Sequence, residues 1–281
     1  MHIEYSKGLN MLTIAVVLLS LAAGLYEVVL GHGGIGSSAA FFLIASLAVS
    51  IASAALLISR EFRTGFLLSL LAMLIGWRVA GLNDLQIVVV PLVCAYILYL
   101  AQFANVARND LRSARQSAPG TAHHLTVFEW QLTLVRLLVG LGFAIHCAEK
   151  LFAGSETHMA AATDFAGLGV PYPGVFVWLA GACELAAAIG VGLGVLTRLA
   201  ALLTAVYLVT ATALGGHFAN GYIWANDGGG WEYPFIWVAL VLGFVVTGAG
   251  RFSIDGVLRE SNRLPRFLRV FWKGSSRPAR P

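Results

Sequence analysis

Leu134–Phe152 reads LVRLLVGLGFAIHCAEKLF. It has the apolarity of a membrane-spanning helix, which needs about 20 residues. Yet Arg136 lies inside it, and His146, Cys147, Glu149 and Lys150 crowd its last turns. On insertion scales a charge at the bilayer centre costs about 2.5–3.5 kcal/mol. The strongly apolar residues from Leu132 to Ile145 return roughly 0.3–0.6 kcal/mol each, about 3–5 kcal/mol together. Arg136 alone cancels most of that gain. Such a helix does not face lipid all round. Its polar residues face protein or a water-filled pocket, and that pocket is the candidate site.

The composition agrees with a membrane protein. Of 281 residues, 58% are hydrophobic and 11% charged, and the mean hydropathy is +0.80. A soluble domain carries about 25% charged residues. Eight apolar segments can be drawn: Leu9–Leu30, Ala39–Ile58, Gly65–Val79, Leu85–Ala104, Phe128–Phe152, Gly174–Leu196, Leu199–Leu214 and Tyr233–Thr247. The fold class is therefore an all-α integral membrane protein of about eight transmembrane helices. The first segment is too long for a signal-peptide core and reads as an uncleaved span.

The basic residues test the topology. Of 18 Lys and Arg, 15 fall before the first segment, in alternate loops or after the eighth. The opposite loops carry none. The positive-inside rule then puts both termini in the cytoplasm. It also gives the net charge of +4 a topological role and leaves no reason to invoke a nucleic-acid partner. The polar stretch 105–126 divides the chain as a cytoplasmic linker. Residues 1–104 form one four-span unit and 127–258 another, and 259–281 a basic amphipathic and disordered tail. The two units have equal orientation, so a duplication is one reading. The end of the first span, GLYEVVLG, faintly echoes that of the fifth.

In the fifth span Arg136, Phe143, Cys147 and Lys150 share a stripe, and His146 lies one turn before Lys150. Glu149 and Lys150 read either as site residues or as interfacial anchors. Arg136 reads as a structural charge, in an ion pair or on carbonyls. In the sixth span Glu184 stands among Ala180, Gly181, Ala187 and Ala188. Small residues around one carboxyl let a neighbouring helix come close. Counted from Gly174, Glu184 falls near mid-membrane. Arg136, His146 and Lys150 are its natural partners, and Arg78 has Asp84 near in sequence. Tyr207, Thr210 and His217 make the seventh span polar towards its outer end. The loop after it, GGHFANGYIWANDGGGWEY, adds Asn220 and Asp227. It reads as a connector in the aromatic belt or as a cover over a pocket mouth. No cysteine pair has metal-ligand spacing, and no haem, flavin or metal motif is visible. Cys147 and Cys183 read as small apolar fillers, their depths too different for a disulfide.

RLLVGLGFAIHCAEKLF, a VPYPG loop, AGACELAAAIGVGLGVLTRLAALLTAVYLVTATALGGHFANG, GGGWEYPFIW and TGAGRFSIDG together resemble the DoxX family of bacterial four-span membrane proteins. The resemblance covers about residues 127–258. Its motif is a His-Gly-x-x-Lys end of the first family helix, a Glu in the second and an Arg opening the third. These fall on His146, Lys150, Glu184 and Arg198. Cys147 departs from the pattern, where many relatives have Gly. Relatives are similar to the DoxD subunit of thiosulfate:quinone oxidoreductase, which passes electrons from thiosulfate to membrane quinone. The resemblance thus implies a bacterial inner-membrane subunit with quinone as mobile substrate. A further redox subunit and an oligomer are among the partners it allows. His146, Lys150 and Glu184 are the expected catalytic residues, with Glu149, Cys147, Tyr207, His217, Asn220 and Asp227 around quinone or donor. Arg198 joins Arg136 as a structural charge. Two other classes compete: a scaffold for a peripheral redox enzyme and a small-solute transporter. A lipid-accessible slot favours quinone, a water path transport, and a solid interior with locally paired charges the scaffold.

Overall fold

Each apolar run closes into a helix because lipid offers no partner for a free peptide group. The computed structural model describes residues 3–30, 34–117 and 120–261. They form α1 (Lys7–Leu30), α2 (Ser37–Ala52), α3 (Phe62–Leu82), α4 (Gln86–Ser117), α5 (Thr121–Leu151), α6 (Ser155–Gly167), α7 (Pro173–Ala187), α8 (Thr197–Leu214), α9 (Glu232–Thr247) and α10 (Ile254–Glu260). Among the described residues there is no strand. Seven helices are long and apolar enough to cross a membrane, and α9 is a shorter apolar helix. The outer surface is apolar, with Leu18, Leu19, Val49, Ile97, Leu138, Leu203, Val206 and Val246 all exposed. In water such a surface would be a liability; in a bilayer it is the solvated face.

Helices α1–α4 close into a ring, each packed on the next and α1 on α4. Helices α5, α7, α8 and α9 close a second ring in the same order. The seam between the rings is α5 against α3 and α4. In both rings the second helix ends in a π-helical turn, Ser53–Leu57 after α2 and Ala188–Gly194 after α7. That shared irregularity is a stronger likeness between the halves than any run of residues.

Three local expectations change. The polar stretch 105–126 is largely helical: α4 runs to Ser117 and α5 begins at Thr121, so both helices extend past the apolar core. The outer loop after α5 contains α6, a helix with no buried residue. Its many Ala residues favour helix without supplying the apolar periodicity of a span. Of the expected amphipathic segment only α10 is described; the tail beyond Ser261 lies outside the described residues.

Arg136, the awkward charge, is fully buried. Its guanidinium donates to the carbonyls of Val191 (2.9 Å), Gly192 and Phe252 (2.5 Å). A π-turn and a helix C-terminus both leave carbonyls without intrahelical partners. The cation sits where those dipoles point. Close approach of α5 makes this contact reachable: a Cβ at Gly140 would collide with the backbone of Gly192. The chain then leaves the π-turn through Leu196 at φ 49°, a strained conformation for a leucine. Asp255 of α10 holds it there, accepting from Leu196 N (2.9 Å), Thr197 N (2.9 Å) and the Thr197 hydroxyl (2.7 Å).

The segment before α10 also ties the two rings. Phe252 packs against Phe62 and Phe66 of α3, Phe103 of α4 and Trp130 of α5, with ring centroids 5.3–6.1 Å away. Arg63 of α3 bridges Glu61 (2.9 Å) and Glu260 (2.9 Å) and donates to the Arg251 carbonyl (3.0 Å). Arg251 pairs with Glu129 and with Asp110 (3.1 Å). Partial burial raises the Glu260 carboxyl, but the hydrogen bonds and charge of Arg63 outweigh it and hold the group below the usual carboxylate range.

Phe252→Ala should cost about 3–5 kcal/mol in thermal or denaturant unfolding in detergent, while Phe128→Ala, at an exposed ring, should change little. For Glu260 the depressed value fixes a sign. Its contribution is complete above the unfolded pKa of about 4.3 and fades as pH falls through the folded value. Melting curves of the wild type and Glu260→Gln should therefore differ at pH 7 and converge in acid.

Candidate functional site

The far end of the bundle, opposite the arginine-rich end, holds a second polar cluster. Gly181 of α7 lies against Leu151 and Lys150, the last residues of α5. A Cβ there would stand 2.7 Å from the Leu151 side chain and 3.0 Å from the Lys150 Cβ. With no side chain at 181 the two helices meet closely, and Lys150 reaches Glu184 one turn further along α7. Lys150 Nζ is 3.0 Å from Glu184 Oε1, and the two side chains are only 12% and 8% exposed. Tyr207 of α8 donates its hydroxyl to the same oxygen at 2.7 Å. Oε1 thus accepts two bonds, while Oε2 is buried with no partner among the described residues. Glu184 therefore lies about one turn inside the end of α5 and well along α7 from its start at Pro173.

Helix α6 closes over this end of α5. His158 Nδ1 stands 3.1 Å from the Lys150 carbonyl, and its ring packs on Trp178 with centroids 5.0 Å apart. Cys147 is buried and gives its thiol to the Ala144 carbonyl at 3.3 Å. Cys183 is half-buried, and both cysteines are free thiols. Among the described residues no group of His, Cys, Asp and Glu gathers as a metal site.

The other expected site residues stand elsewhere. His146 is exposed on the lipid-facing side of α5. Helical spacing turns it away from Glu184, and Lys150 touches only its carbonyl, at 3.4 Å. Glu149 joins Arg78 of α3 at 2.7 Å, across the seam, rather than the Glu184 cluster. Arg78 therefore has a carboxylate 71 positions away as its partner, not nearby Asp84. Arg198 is half-buried at the basic end, beside Gly248.

The outer loop folds on itself rather than over Glu184. His217 Nδ1 and Asn220 Nδ2 both meet the Gly229 carbonyl, at 2.9 and 3.2 Å. Trp224 N donates to Glu232 (3.1 Å), and Trp231 packs on Tyr222 with centroids 4.7 Å apart. Asp227 is exposed at the tip. Among the described residues no hydrogen bond joins this loop to Lys150, Glu184 or Tyr207. It is a compact Ω-type loop with an aromatic lining.

One feature had no signal in either half alone. A cavity of about 590 Å³ lies at the seam, walled by α3, α4, α5 and α9. Gly142 lets the Trp237 ring into the wall, since the ring stands 2.5 Å from where a Cβ would be. Val93, Leu100, Leu134 and Leu138 stand at its rim and are exposed, so it opens sideways towards lipid. Finding it needs the pairing of residues from both units.

Fold and site together define a multi-pass, all-helical membrane protein with an ion-paired carboxylate buried among its spans. Residues 131–217, within the second unit, match the family model of DoxX. The match contains Lys150, Glu184 and Tyr207. No curated protein and no solved structure matches the chain.

Lys150→Met leaves a buried carboxylate without its cation and should cost about 3–5 kcal/mol, whereas Lys150→Met with Glu184→Leu should cost far less. A double-mutant cycle on unfolding in detergent measures the difference.

Proposed function

We propose that this chain is the membrane subunit of a quinone-linked oxidoreductase, taking electrons from a thiol or a thiosulfate-like sulfur donor. The observation that carries this reading is Glu184. It is a buried carboxylate whose one oxygen is held by Lys150 and Tyr207 while the other is unengaged. Two thiols lose two electrons and two protons as one S–S bond forms. The quinone takes up two electrons and two protons and becomes the quinol. Its oxygens need a proton source inside the bundle. In this reading Glu184, between an ammonium and a phenol, passes a proton at Oε2 while Lys150 balances its charge. The positive-inside rule adds that the arginine-rich end faces the cytoplasm of a bacterial inner membrane. The sulfur donor then arrives from the other side. A peripheral redox subunit is the natural partner for any one-electron step.

The second reading is a scaffold for such an enzyme. It draws on the local pairing of most charges, as in Arg63–Glu260 and Arg78–Glu149.

Protein purified in mild detergent, alone and with any co-purifying subunit, should reduce an added short-chain quinone when given thiosulfate or small thiols. Glu184→Gln should abolish that turnover while the protein still inserts and purifies. Turnover absent from every preparation would sink the oxidoreductase reading. If Glu184→Gln instead prevents assembly, the carboxylate is structural and the scaffold is favoured.

A further inference from the structure

The seam cavity is elongated along the helices. Its walls run from Phe66 to Trp77 on α3, from Leu92 to Phe103 on α4 and from Leu134 to Ile145 on α5. At 1.5 Å per residue each wall is about 16 Å long. The helices run in alternating directions, so one set of ends, Phe66, Phe103 and Leu134, lies towards the arginine-rich face. There the Phe252 ring stack closes the bundle. The other ends, Trp77, Leu92 and Ile145, lie at the far face. The walls are apolar almost throughout, and the rim opens to lipid.

The far end is chemically different. Trp77 is in the wall, and its indole Nε1 is buried with no partner among the described residues. Arg78, next in the chain, likewise leaves its Nε buried and unpartnered. Buried donors almost always find acceptors. The Trp77 donor, in the wall at the end of an apolar groove, calls for an acceptor that a ligand brings, with Arg78 its neighbour in the chain. Glu149, one turn beyond Ile145 on the same face of α5, pairs with Arg78 at 2.7 Å. That end is therefore neutral on balance. A neutral carbonyl head suits it, and a phosphate head would find no uncompensated cation there.

We propose that this groove is the quinone site, with the isoprenoid tail between the two four-helix units and a ring carbonyl at the Trp77–Arg78 end. The assignment rests on the quinone-linked reading above and adds to it that the first unit supplies half of the site. It also gives exposed His146 a place. His146 is one turn from Gly142 in the groove wall and one turn from Lys150 in the Glu184 cluster.

The test is photolabelling of the purified protein in mixed micelles with an azido-quinone bearing a long isoprenoid tail, followed by peptide mapping. Saturable label should fall on α3 and α4 as well as α5, and a long-tailed quinone should compete better than one with a single isoprene unit. Leu137→Phe, which fills the groove, should cut labelling on the order of tenfold, about 1.4 kcal/mol. Trp77→Phe keeps an aromatic ring in the wall and removes the donor; it too should weaken labelling, by a similar factor for long and short tails. Leu138→Phe at the rim substitutes for Leu137→Phe if that variant does not fold. Label confined to α7 and α8 would overturn the groove assignment and leave the quinone-linked reading standing. Absence of saturable label anywhere would overturn both. Equal displacement by a phospholipid lacking the quinone ring would mean that an acyl lipid fills the groove, and would overturn the assignment.

Discussion

A buried guanidinium needs acceptors, and in this protein the backbone supplies them. Arg136 is held by the carbonyls of Val191, Gly192 and Phe252. Those carbonyls come from a π-turn at the end of α7 and from the segment that follows α9. One side chain thus fixes three parts of the second unit at once: the first helix, the end of the second and the start of the terminal segment. Losing the contact would strand carbonyls as well as a charge, each unmade bond costing about 1–3 kcal/mol. The strained Leu196 and the Asp255 cap follow from the same arrangement. Asp255 can reach the start of α8 only because the chain after α9 is already drawn in beside Arg136.

The same segment carries the constraint into the other half of the chain. Phe252 sits among rings from α3, α4 and α5, and Arg63 of α3 grips the Arg251 carbonyl and Glu260. The rings are thereby pinned together at the arginine-rich end. At the far end the pin is lighter, with the half-exposed Arg78–Glu149 pair and the bond from Asn83 to the Ala153 carbonyl (3.3 Å). Between those two ends the seam is left unfilled, and that is where the groove lies. The Glu184 cluster is on the other side of α5, inside its own unit. Helix α5 therefore separates a polar site from an apolar one.

Much of the fold was legible because lipid forces a simple rule on the chain. Every span must be apolar and helical, so composition alone locates α1–α5 and α7–α9. Lys150 and Glu184 were legible as partners for a related reason, since two opposite charges beside Gly181 in neighbouring spans have little else to pair with. Residues outside the apolar core were harder. The stretch 105–126 looked like a linker, yet α4 and α5 run through most of it, because polarity marks the end of the bilayer and not the end of a helix. The loop with His217, Asn220 and Asp227 read either as a connector or as a pocket cover, and its polar groups bond largely within the loop.

What the sequence determined by itself was the class of the protein, its count of spans to within the short α9, the crowding of polar groups at the end of α5 and the likeness of the second half to DoxX. What only the tertiary structure decided was which charges meet. Arg78 takes Glu149 rather than Asp84, Arg136 takes carbonyls rather than a carboxylate, and a groove opens between units that share no visible motif. The physical reason is that spans and their directions follow from the transfer of each residue into lipid, a local quantity. Pairing and cavities depend instead on the rotation and separation of helices far apart in the chain. Those are set by where single glycines let backbones touch.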